Sequence, residues 1–269
     1  PVSPTGWDIR TPPRDRFRAA YVTPSCHCPY GTTMPFEQRD QLIALAHERN
    51  AWIIEDDFDA EYHLTRNTIP AMQAISADSR TIYVGTFSKT MFPSLRIGFM
   101  VMPPTIQRSI SRATFLSSQY PSILLQAVLA DFLDEGYFTT HLAEMRRLYR
   151  QRRGDFLRLG RRYLSEWLEP MESASGIQSL WFFRDQTMDD HEVVARMRAN
   201  GLRGVPLSMH FRHIAPLRGV VLGFAGQDTN RAEKALIRLR AILETCGPDC
   251  RVRGGGTPGA PTDDMTPGL

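Results

Sequence analysis

Short apolar segments separated by a helical pattern and polar connections constrain the fold of the first 102 residues most strongly. Segments 19–23, 51–55, Thr81–Thr86 and 95–102 are apolar and rich in β-branched or aromatic residues, which predicts strands. Segment 35–49 places leucine and isoleucine at helical spacing. Strands that alternate with a helix and long connections predict an α/β fold with a mostly parallel sheet. Ligands bind such sheets beyond the carboxyl ends of the strands.

Two chemically distinctive segments follow directly after predicted strands. The acidic run Glu55-Asp56-Asp57-Phe58-Asp59 begins at the end of segment 51–55, and Phe87-Ser88-Lys89-Thr90 follows Thr81–Thr86. Acidic runs and a Ser-Lys-Thr triplet are each common in solvated loops. Neither motif alone indicates a ligand site, but their shared position at strand ends does, because both would lie at the ligand-binding edge of the sheet.

Lysine is rare in this chain. The 32 basic residues comprise arginines and only two lysines, Lys89 and Lys234. Arginine can replace lysine for surface charge, but a guanidinium stays protonated and cannot form a Schiff base. A lysine kept at position 89, in a chain that otherwise uses arginine, is therefore a candidate for amine chemistry.

The chemistry of pyridoxal phosphate (PLP) requires a small set of groups that this segment could supply. A lysine forms an imine with the cofactor, a carboxylate faces the pyridine nitrogen, and hydroxyl groups with an arginine hold the phosphate. Lys89 would supply the amine, and either Asp56 or Asp57 would supply the carboxylate. The phosphate contacts would come from Thr86, Ser88 and Arg96.

Three phrases carry a resemblance to a known family. They are Tyr-Val-Thr-Pro-Ser at 21–25, Trp-Ile-Ile-Glu-Asp-Asp-Phe-Asp-Ala-Glu at 52–61 and Gly-Thr-Phe-Ser-Lys-Thr-Met-Phe-Pro-Ser-Leu-Arg at 85–96. With Gly-Phe-Ala at 223–225, they resemble the fold type I, class I/II aminotransferases. The similarity is strongest to the aminotransferase-like domain of the MocR subfamily of GntR transcriptional regulators, and it extends from about residue 15 to residue 243.

The resemblance implies a fold, a cofactor and roles for individual residues. The fold would be a partial fold type I large domain followed by a smaller C-terminal α+β domain. Asp56 would face the pyridine nitrogen of PLP, Lys89 would form the imine, and Thr86 and Arg96 would bind the phosphate. The resemblance further implies a cytoplasmic homodimer that binds a small amino-group effector or substrate. DNA would be bound only through a winged-helix domain that precedes the matching part and is missing here, together with the first part of the aminotransferase-like domain.

Three positions depart from the pattern of that family. Phe58 stands where the family has a tyrosine whose hydroxyl bonds the ring oxygen of the cofactor, and Cys28 stands where many aminotransferases have an asparagine for the same atom. Gly226 stands where aminotransferases have the arginine that grips the substrate carboxylate. If the chain is an active aminotransferase, His210 or Arg212 would be the candidate for a substitute clamp.

The remaining sequence predicts the domain limits. We expect a partial PLP-binding domain over residues 1–143, a small domain over 144–244 and a disordered Gly- and Pro-rich tail over 245–269. Segment 142–164 carries eight arginines, but its apolar residues keep helical spacing. We therefore interpret the arginines as the solvated face of a long helix rather than as a nucleic-acid site.

Composition excludes several other classes. The formal net charge is +3, which requires no nucleic-acid or membrane partner, and no apolar run approaches the ~20 residues that span a bilayer. Four cysteines are too few for a disulfide scaffold, and only Cys246 and Cys250 have a spacing compatible with zinc. We expect free thiols and no metal.

Three hypotheses for the function follow. The first is the effector-sensing, PLP-binding domain of a MocR-type regulator, and the second is a PLP-dependent aminotransferase that exchanges amino and keto groups. The third is a truncated gene product that keeps the sequence signature of the fold but has no function. The missing substrate clamp favours the first.

Overall fold

The computed structural model describes residues 2–3, 6–7, 17–62, 69–76, 80–117, 121–172, 176–211, 215–246 and 250–252. These residues form two compact units. The first comprises residues 1–150 and 172–177, and the second comprises 151–171 and 178–269. The division falls within one long helix, which also contains the domain limit predicted at residues 143 and 144. That limit stays a prediction. Most of the predicted disordered tail lies outside the described residues.

The first unit contains a four-stranded sheet in the order β3 (Ala19–Val22), β4 (Trp52–Asp56), β5 (Thr81–Thr86) and β6 (Gly98–Val101). The first three strands are parallel, and β6 pairs with β5 in the antiparallel direction. The predicted α/β sheet is confirmed. The strand expected over 95–102 begins only at Gly98, because Pro93–Leu95 forms a short 3-10 helix and Arg96 adopts a left-handed conformation with φ of 51°.

Helices α1 (Phe36–Glu48) and α2 (Met72–Ile75) belong to the same unit, and α1 corresponds to the helix predicted over 35–49. The core of this part is formed by Val22, Met34, Leu42, Ala46, Ile53 and Met72, all of which are buried. A 3-10 helix at Ala60–Tyr62 follows β4, and a short hairpin of β1 (Val2–Ser3) and β2 (Gly6–Trp7) stands near the start of the chain. The sequence did not predict this hairpin.

Three helices follow the sheet: α3 (Pro104–Ser117), α4 (Ile123–Asp134) and α5 (Tyr137–Leu164). The last of them contains the long helix predicted over 142–164 and confirms it. The solvated face of α5 is confirmed for five arginines, which are exposed: Arg147, Arg150, Arg158, Arg161 and Arg162. The other three are half-buried, and two of them bind backbone carbonyls within their own units, Arg146 that of Glu61 and Arg152 that of Ala225.

The second unit contains an antiparallel sheet in the order β7, β8, β10, β9. The strands are β7 (Leu168–Pro170), β8 (Gln178–Phe183), β9 (Val205–Pro206) and β10 (Gly219–Gly223). The helices are α6 (Asp190–Ala199) and α7 (Thr229–Glu244), with a 3-10 helix at Leu207–His210. The predicted α+β character is confirmed, although β7 and β9 are too short to have been recognised from their sequence.

Candidate functional site

The candidate site is built at the carboxyl ends of the parallel strands β3, β4 and β5. Asp56 is the last residue of β4, and Lys89 lies three residues beyond the end of β5. Cys28 lies in the loop that follows β3. Parallel pairing places these three chain segments at one edge of the sheet, as the sequence predicted.

Strand register decides which side chains share a face of the sheet. Tyr21 pairs with Ile54, and Asp56 pairs with Val84. Because side chains alternate along a strand, Tyr21, Asp56 and Thr86 project from the same face. Glu55 and its partner Tyr83 project from the opposite face.

Asp56 is held by its neighbour on β3. The Tyr21 hydroxyl donates a hydrogen bond to the Oδ2 atom of Asp56. Burial, the hydrogen bond to Asp56 and the negative charge of that carboxylate together raise the pKa of Tyr21 to about 12. The phenol therefore stays protonated at neutral pH and can keep donating to Asp56. Asp56 remains partly accessible, as a carboxylate that receives a ligand must be.

Asp57 has a different environment. Asp57 is 6% exposed. Its carboxylate accepts a hydrogen bond from the Tyr83 hydroxyl, on the face of the sheet opposite Asp56. Its backbone N–H donates to the carbonyl of Val84 at 2.9 Å. The two carboxylates that the sequence left open are thus separated by the sheet, and Asp56 is the one that shares a face with Tyr21 and Thr86.

Lys89 lies over an aromatic ring. Its Nζ atom is 5.8 Å from the centroid of the Phe58 ring, a distance at which a cation is attracted to the ring face. The Tyr62 hydroxyl donates to the backbone carbonyl of Lys89 at 3.2 Å, and the His141 Nε2 atom lies 2.9 Å from the carbonyl of Thr90. These contacts fix the backbone at and just beyond the amine-bearing residue.

Thr86, Ser88 and Arg96 are the residues for which phosphate contacts were predicted from the sequence. The Ser88 N–H donates to the Thr86 Oγ1 atom at 3.1 Å, and that hydroxyl lies 3.4 Å from the carbonyl of Ile97. Arg96 is exposed and follows the Pro93–Leu95 turn, which buries Leu95 against Ile97 and Leu129. The turn therefore anchors an exposed guanidinium close in sequence to the lysine loop.

Two further carboxyls near the site are shielded from water. Burial raises the pKa of Asp59 to about 6, with Lys89 opposing the rise and Asp57 and Asp56 adding to it. Burial also raises the pKa of Glu61 to about 7. Among the described residues, neither Asp59 Oδ1 nor Glu61 Oε2 has a hydrogen-bond partner. Asp59 was recognised in the sequence only as a member of the acidic run, and no role was predicted for it.

A buried ion pair supports the end of β4 on the face of the sheet opposite Asp56. Glu55 accepts hydrogen bonds from the N–H groups of Met72 at 2.8 Å and Gln73 at 2.9 Å, and its Oε1 atom is 3.8 Å from Arg39 Nη1. Arg39 also donates to the carbonyls of Met34 and Pro70. These bonds fix the strand that carries Asp56.

The departures from the family pattern are also visible in the structure. Cys28 is an exposed residue, yet desolvation raises the pKa of its thiol, with Asp59 adding to the rise and Lys89 opposing it. A Cβ atom added at Gly226 would meet no atom within 4 Å, so the position is open. His210 ends the 3-10 helix Leu207–His210, and Arg212 lies outside the described residues.

The described part of the chain contains neither a membrane-spanning helix nor a cluster of metal-binding side chains. No helix among the described residues is long and apolar enough to cross a membrane. Within the same ranges, no group of three or more histidine, cysteine or acidic residues is arranged to hold a metal ion. All four cysteines are free thiols.

The donor set fits PLP in part. Lys89 offers an amine, Asp56 a carboxylate, Thr86 and Ser88 offer hydroxyl groups, and Arg96 offers a guanidinium. The ring of Phe58 lies by the lysine but has no hydroxyl, and Cys28 is a weak hydrogen-bond donor. The residues therefore fit the ring nitrogen, the covalent link and the phosphate, and they are poor partners for the ring oxygen.

Comparison with known proteins gives a consistent set of relatives. Residues 7–207 match the family model described as aminotransferase class I and II. The chain is 42% identical over 250 residues to the probable rhizopine catabolism regulatory protein MocR of Rhizobium meliloti, covering 92% of this chain and 50% of that protein. It is 30% identical over 246 residues to the pyridoxine biosynthesis transcriptional regulator PdxR of Corynebacterium glutamicum, covering 89% and 51%.

A solved structure shows the same architecture. The kynurenine aminotransferase of Pyrococcus horikoshii, solved in complex with PMP, superposes with a TM-score of 0.76 at 27% identity. The match covers 84% of this chain and 56% of that one. The chain spans about half the length of the curated relatives it matches.

Proposed function

This chain belongs to the class I and II aminotransferase family, and we propose that it is the PLP-binding, effector-sensing part of a MocR/GntR-type transcriptional regulator. The observation that carries the proposal is the position of Lys89 and Asp56 at the ends of two neighbouring strands. Most of the length of this chain also matches regulators such as MocR and PdxR. DNA binding would reside in a part of the protein that this chain does not include.

Each residue of the site has a distinct task in this proposal. Lys89 would bind PLP covalently through its Nζ atom, and Asp56, held by Tyr21, would keep the pyridine nitrogen protonated. Thr86, Ser88 and Arg96 would hold the phosphate. When bound, PLP supplies an electron sink for chemistry at an amino-group carbon. Phe58 would pack beside the covalent link without bonding the ring oxygen.

The ligand sensed by the domain would be a small molecule with an amino group, since an amine can replace Lys89 on the cofactor. Gly226 offers no group to grip a carboxylate, which disfavours turnover of ordinary amino acids. This feature supports a sensor over an enzyme. The second candidate, a PLP-dependent aminotransferase, is favoured by the family and by the fold of the Pyrococcus enzyme.

We also propose that the domain acts as a homodimer in the cytoplasm. Helix α4 is apolar around most of its circumference, yet Ile123 is 83% and Leu124 is 72% exposed, and Val128 is also exposed. A contiguous exposed apolar surface of this kind usually marks a site of interaction with another protein or a membrane. A second copy would cover this surface, and sedimentation analysis would show a dimer of twice 30.5 kDa.

Two measurements separate the candidates. Reading the gene upstream of the codon for Pro1 should reveal an in-frame winged-helix segment if the protein is a regulator. With PLP bound, a panel of amino acids should change the absorbance spectrum without repeated conversion of amino acid and keto acid. Sustained turnover together with no DNA-binding segment would put the aminotransferase first.

A further inference from the structure

Lys89 lies on a single hydrogen-bonded turn, residues 87–91, which we call the lysine turn. The Met91 N–H donates to the carbonyl of Phe87 at 2.9 Å and closes the turn around Lys89, and the Thr90 hydroxyl donates to the same carbonyl at 3.4 Å. One turn has little stability of its own, and the carbonyls at its end have no partner within it. The lysine turn therefore needs contacts from other segments to keep one conformation.

Two side chains bind the carbonyls at the end of the lysine turn. The hydroxyl of Tyr62, from the 3-10 helix after β4, donates to the carbonyl of Lys89 at 3.2 Å. The Nε2 atom of His141 on α5 lies 2.9 Å from the carbonyl of Thr90. A carbonyl oxygen only accepts hydrogen bonds, so the His141 ring must carry a hydrogen on Nε2. Two adjacent carbonyls are thus held from two separate elements of the first unit.

Helix α5 supports both of these contacts. Tyr62 is buried, and its ring meets the edge of the Tyr149 ring on α5 with the centroids 5.0 Å apart. Arg146, which lies on α5 between His141 and Tyr149, donates to the carbonyl of Glu61 at 2.6 Å. Burial raises the pKa of the Tyr62 hydroxyl, which therefore stays a donor at neutral pH. The helix thus holds the lysine turn directly through His141 and indirectly through Tyr62.

The held carbonyls restrict where the amine of Lys89 can go. The carbonyl of Lys89 belongs to the rigid peptide plane that follows its Cα atom, so fixing this plane restricts ψ of Lys89. The side chain then leaves the backbone in a set direction, and its Nζ atom lies 5.8 Å from the centroid of the Phe58 ring. A shifted turn would carry Nζ away from this position. Misplacement of a reacting atom by about 1 Å can cost about a hundredfold in rate.

We propose that His141 is a positioning residue for the covalent step at Lys89, and that it acts by holding the lysine turn through the Thr90 carbonyl. The inference deepens the proposed function, on which it rests for the role of Lys89. In that step the neutral Nζ amine forms a C=N bond to the aldehyde carbon of PLP, and the aldehyde oxygen leaves as water with both hydrogens of the amine. His141 binds a backbone carbonyl rather than the amine. Its loss should therefore slow the step without weakening the noncovalent contacts of the ligand.

The test compares PLP with pyridoxamine 5′-phosphate, which has the same ring and phosphate but cannot link to Lys89 because an amine replaces the aldehyde. In the full-length protein, His141→Leu should form the covalent link with PLP about tenfold to a hundredfold more slowly, measured by stopped-flow absorbance. Its affinity for pyridoxamine 5′-phosphate should be unchanged. His141→Gln should restore most of the rate, because its amide can donate to the same carbonyl. His191→Leu, at an exposed position of α6, is the control for loss of a histidine ring.

Two measurements without ligand keep this inference separate from the proposed function. In ¹⁵N-labelled wild-type protein, the neutral His141 ring should carry its hydrogen on Nε2, and a hydrogen on Nδ1 alone would contradict the bond to Thr90. This reading needs no variant to fold. In hydrogen exchange, the Met91 N–H should exchange faster in His141→Leu but not in His141→Gln, because a loosened turn opens more often.

Equal rates of covalent capture by wild type and folded His141→Leu would overturn the proposal. Parallel losses of PLP capture and of affinity for pyridoxamine 5′-phosphate would also overturn it, because they indicate a general structural role. A wild-type protein that binds neither compound would refute the proposed function. The two measurements without ligand would then decide alone whether His141 holds the lysine turn.

Discussion

The Tyr21 hydroxyl on β3 donates a hydrogen bond to the carboxylate of Asp56 at the end of β4. The two residues are 35 positions apart in sequence, and the parallel register brings them to one face of the sheet. Asp57, one residue later, is buried on the other face with Tyr83. This separation gives the two adjacent carboxylates different expected roles.

The first prediction distinguishes those roles. Asp56→Asn should weaken PLP binding strongly with little change in unfolding midpoint, because an amide cannot hold the pyridine nitrogen protonated. Asp57→Asn should affect the unfolding midpoint more than the affinity for PLP. Titration of each variant with PLP, followed by absorbance, and urea unfolding provide the two readings. If both variants lost the same affinity for PLP, the face of the sheet on which each carboxylate lies would not decide which of them binds the cofactor.

The second prediction concerns the missing hydroxyl at position 58. Phe58→Tyr should bind PLP more tightly, because a tyrosine at this position can bond the ring oxygen. A hydrogen bond to a charged group contributes about 1.5–3 kcal/mol, which corresponds to about tenfold or more in affinity. Phe58→Leu is the matched control, since it also lacks a hydroxyl. Identical affinities for wild type and Phe58→Tyr would mean that another group already fills this role.

The third prediction follows from the pKa of Glu61, which burial raises from 4.5 to about 7. The Glu61 carboxyl therefore binds its proton more tightly in the folded protein than in the unfolded chain. The contribution of Glu61 to stability is therefore fully present below about pH 4.5 and is lost as the pH rises through 7. At pH 8, Glu61→Gln should unfold at a higher urea concentration than wild type, and its free energy of unfolding should be larger by roughly 1–3 kcal/mol. At about pH 4.5 the two proteins should differ little.

Exposed Glu48→Gln is the control for Glu61→Gln, because its side chain is 72% exposed. The control should not change the pH dependence of the unfolding midpoint. If Glu61→Gln is no more stable than wild type at pH 8, then Glu61 is ionised in the folded protein without penalty.

The fourth prediction concerns catalysis. Without an arginine at position 226, the substrate carboxylate has no bidentate partner there, and misplacement by about 1 Å can cost about a hundredfold in rate. We expect turnover of common amino-acid and keto-acid pairs far below the usual enzyme range of about 1 s⁻¹ and above. Space around Gly226 should allow Gly226→Arg to fold. Stopped-flow spectra of both proteins would test this expectation, and rapid turnover by wild type would contradict it.

The sequence predicted the strands at whose carboxyl ends Asp56 and Lys89 lie, because each strand is an apolar run followed by polar residues. It did not predict the contact of Tyr21 with Asp56, although Tyr21 was part of a recognised motif. Contacts between parallel strands depend on register, and register cannot be derived from one strand alone. Alternation along β3 and β4 would have been the signal, since it assigns Tyr21 and Asp56 to one face once the register is known.

Asp59 and Glu61 were missed for a different reason. An acidic run is usually a solvated loop, but segments far along the chain pack against this one: a Cβ added at Gly176 would lie 3.9 Å from Asp59 Oδ2, and Arg146 donates to the Glu61 carbonyl. Their burial depends on residues distant in sequence. The strands β7 and β9 were missed because two or three residues carry too little periodicity to be recognised.

The identity of the lysine that binds PLP tests the central claim most directly. Protein incubated with PLP and then reduced with borohydride should carry the cofactor on one peptide, the one containing Lys89, and Lys234→Arg should be labelled as well as wild type. Lys89→Arg should keep the positive charge but lose the label, because a guanidinium cannot form the covalent link. A label on Lys234, or a full-length protein that takes up no label at Lys89, would contradict the account.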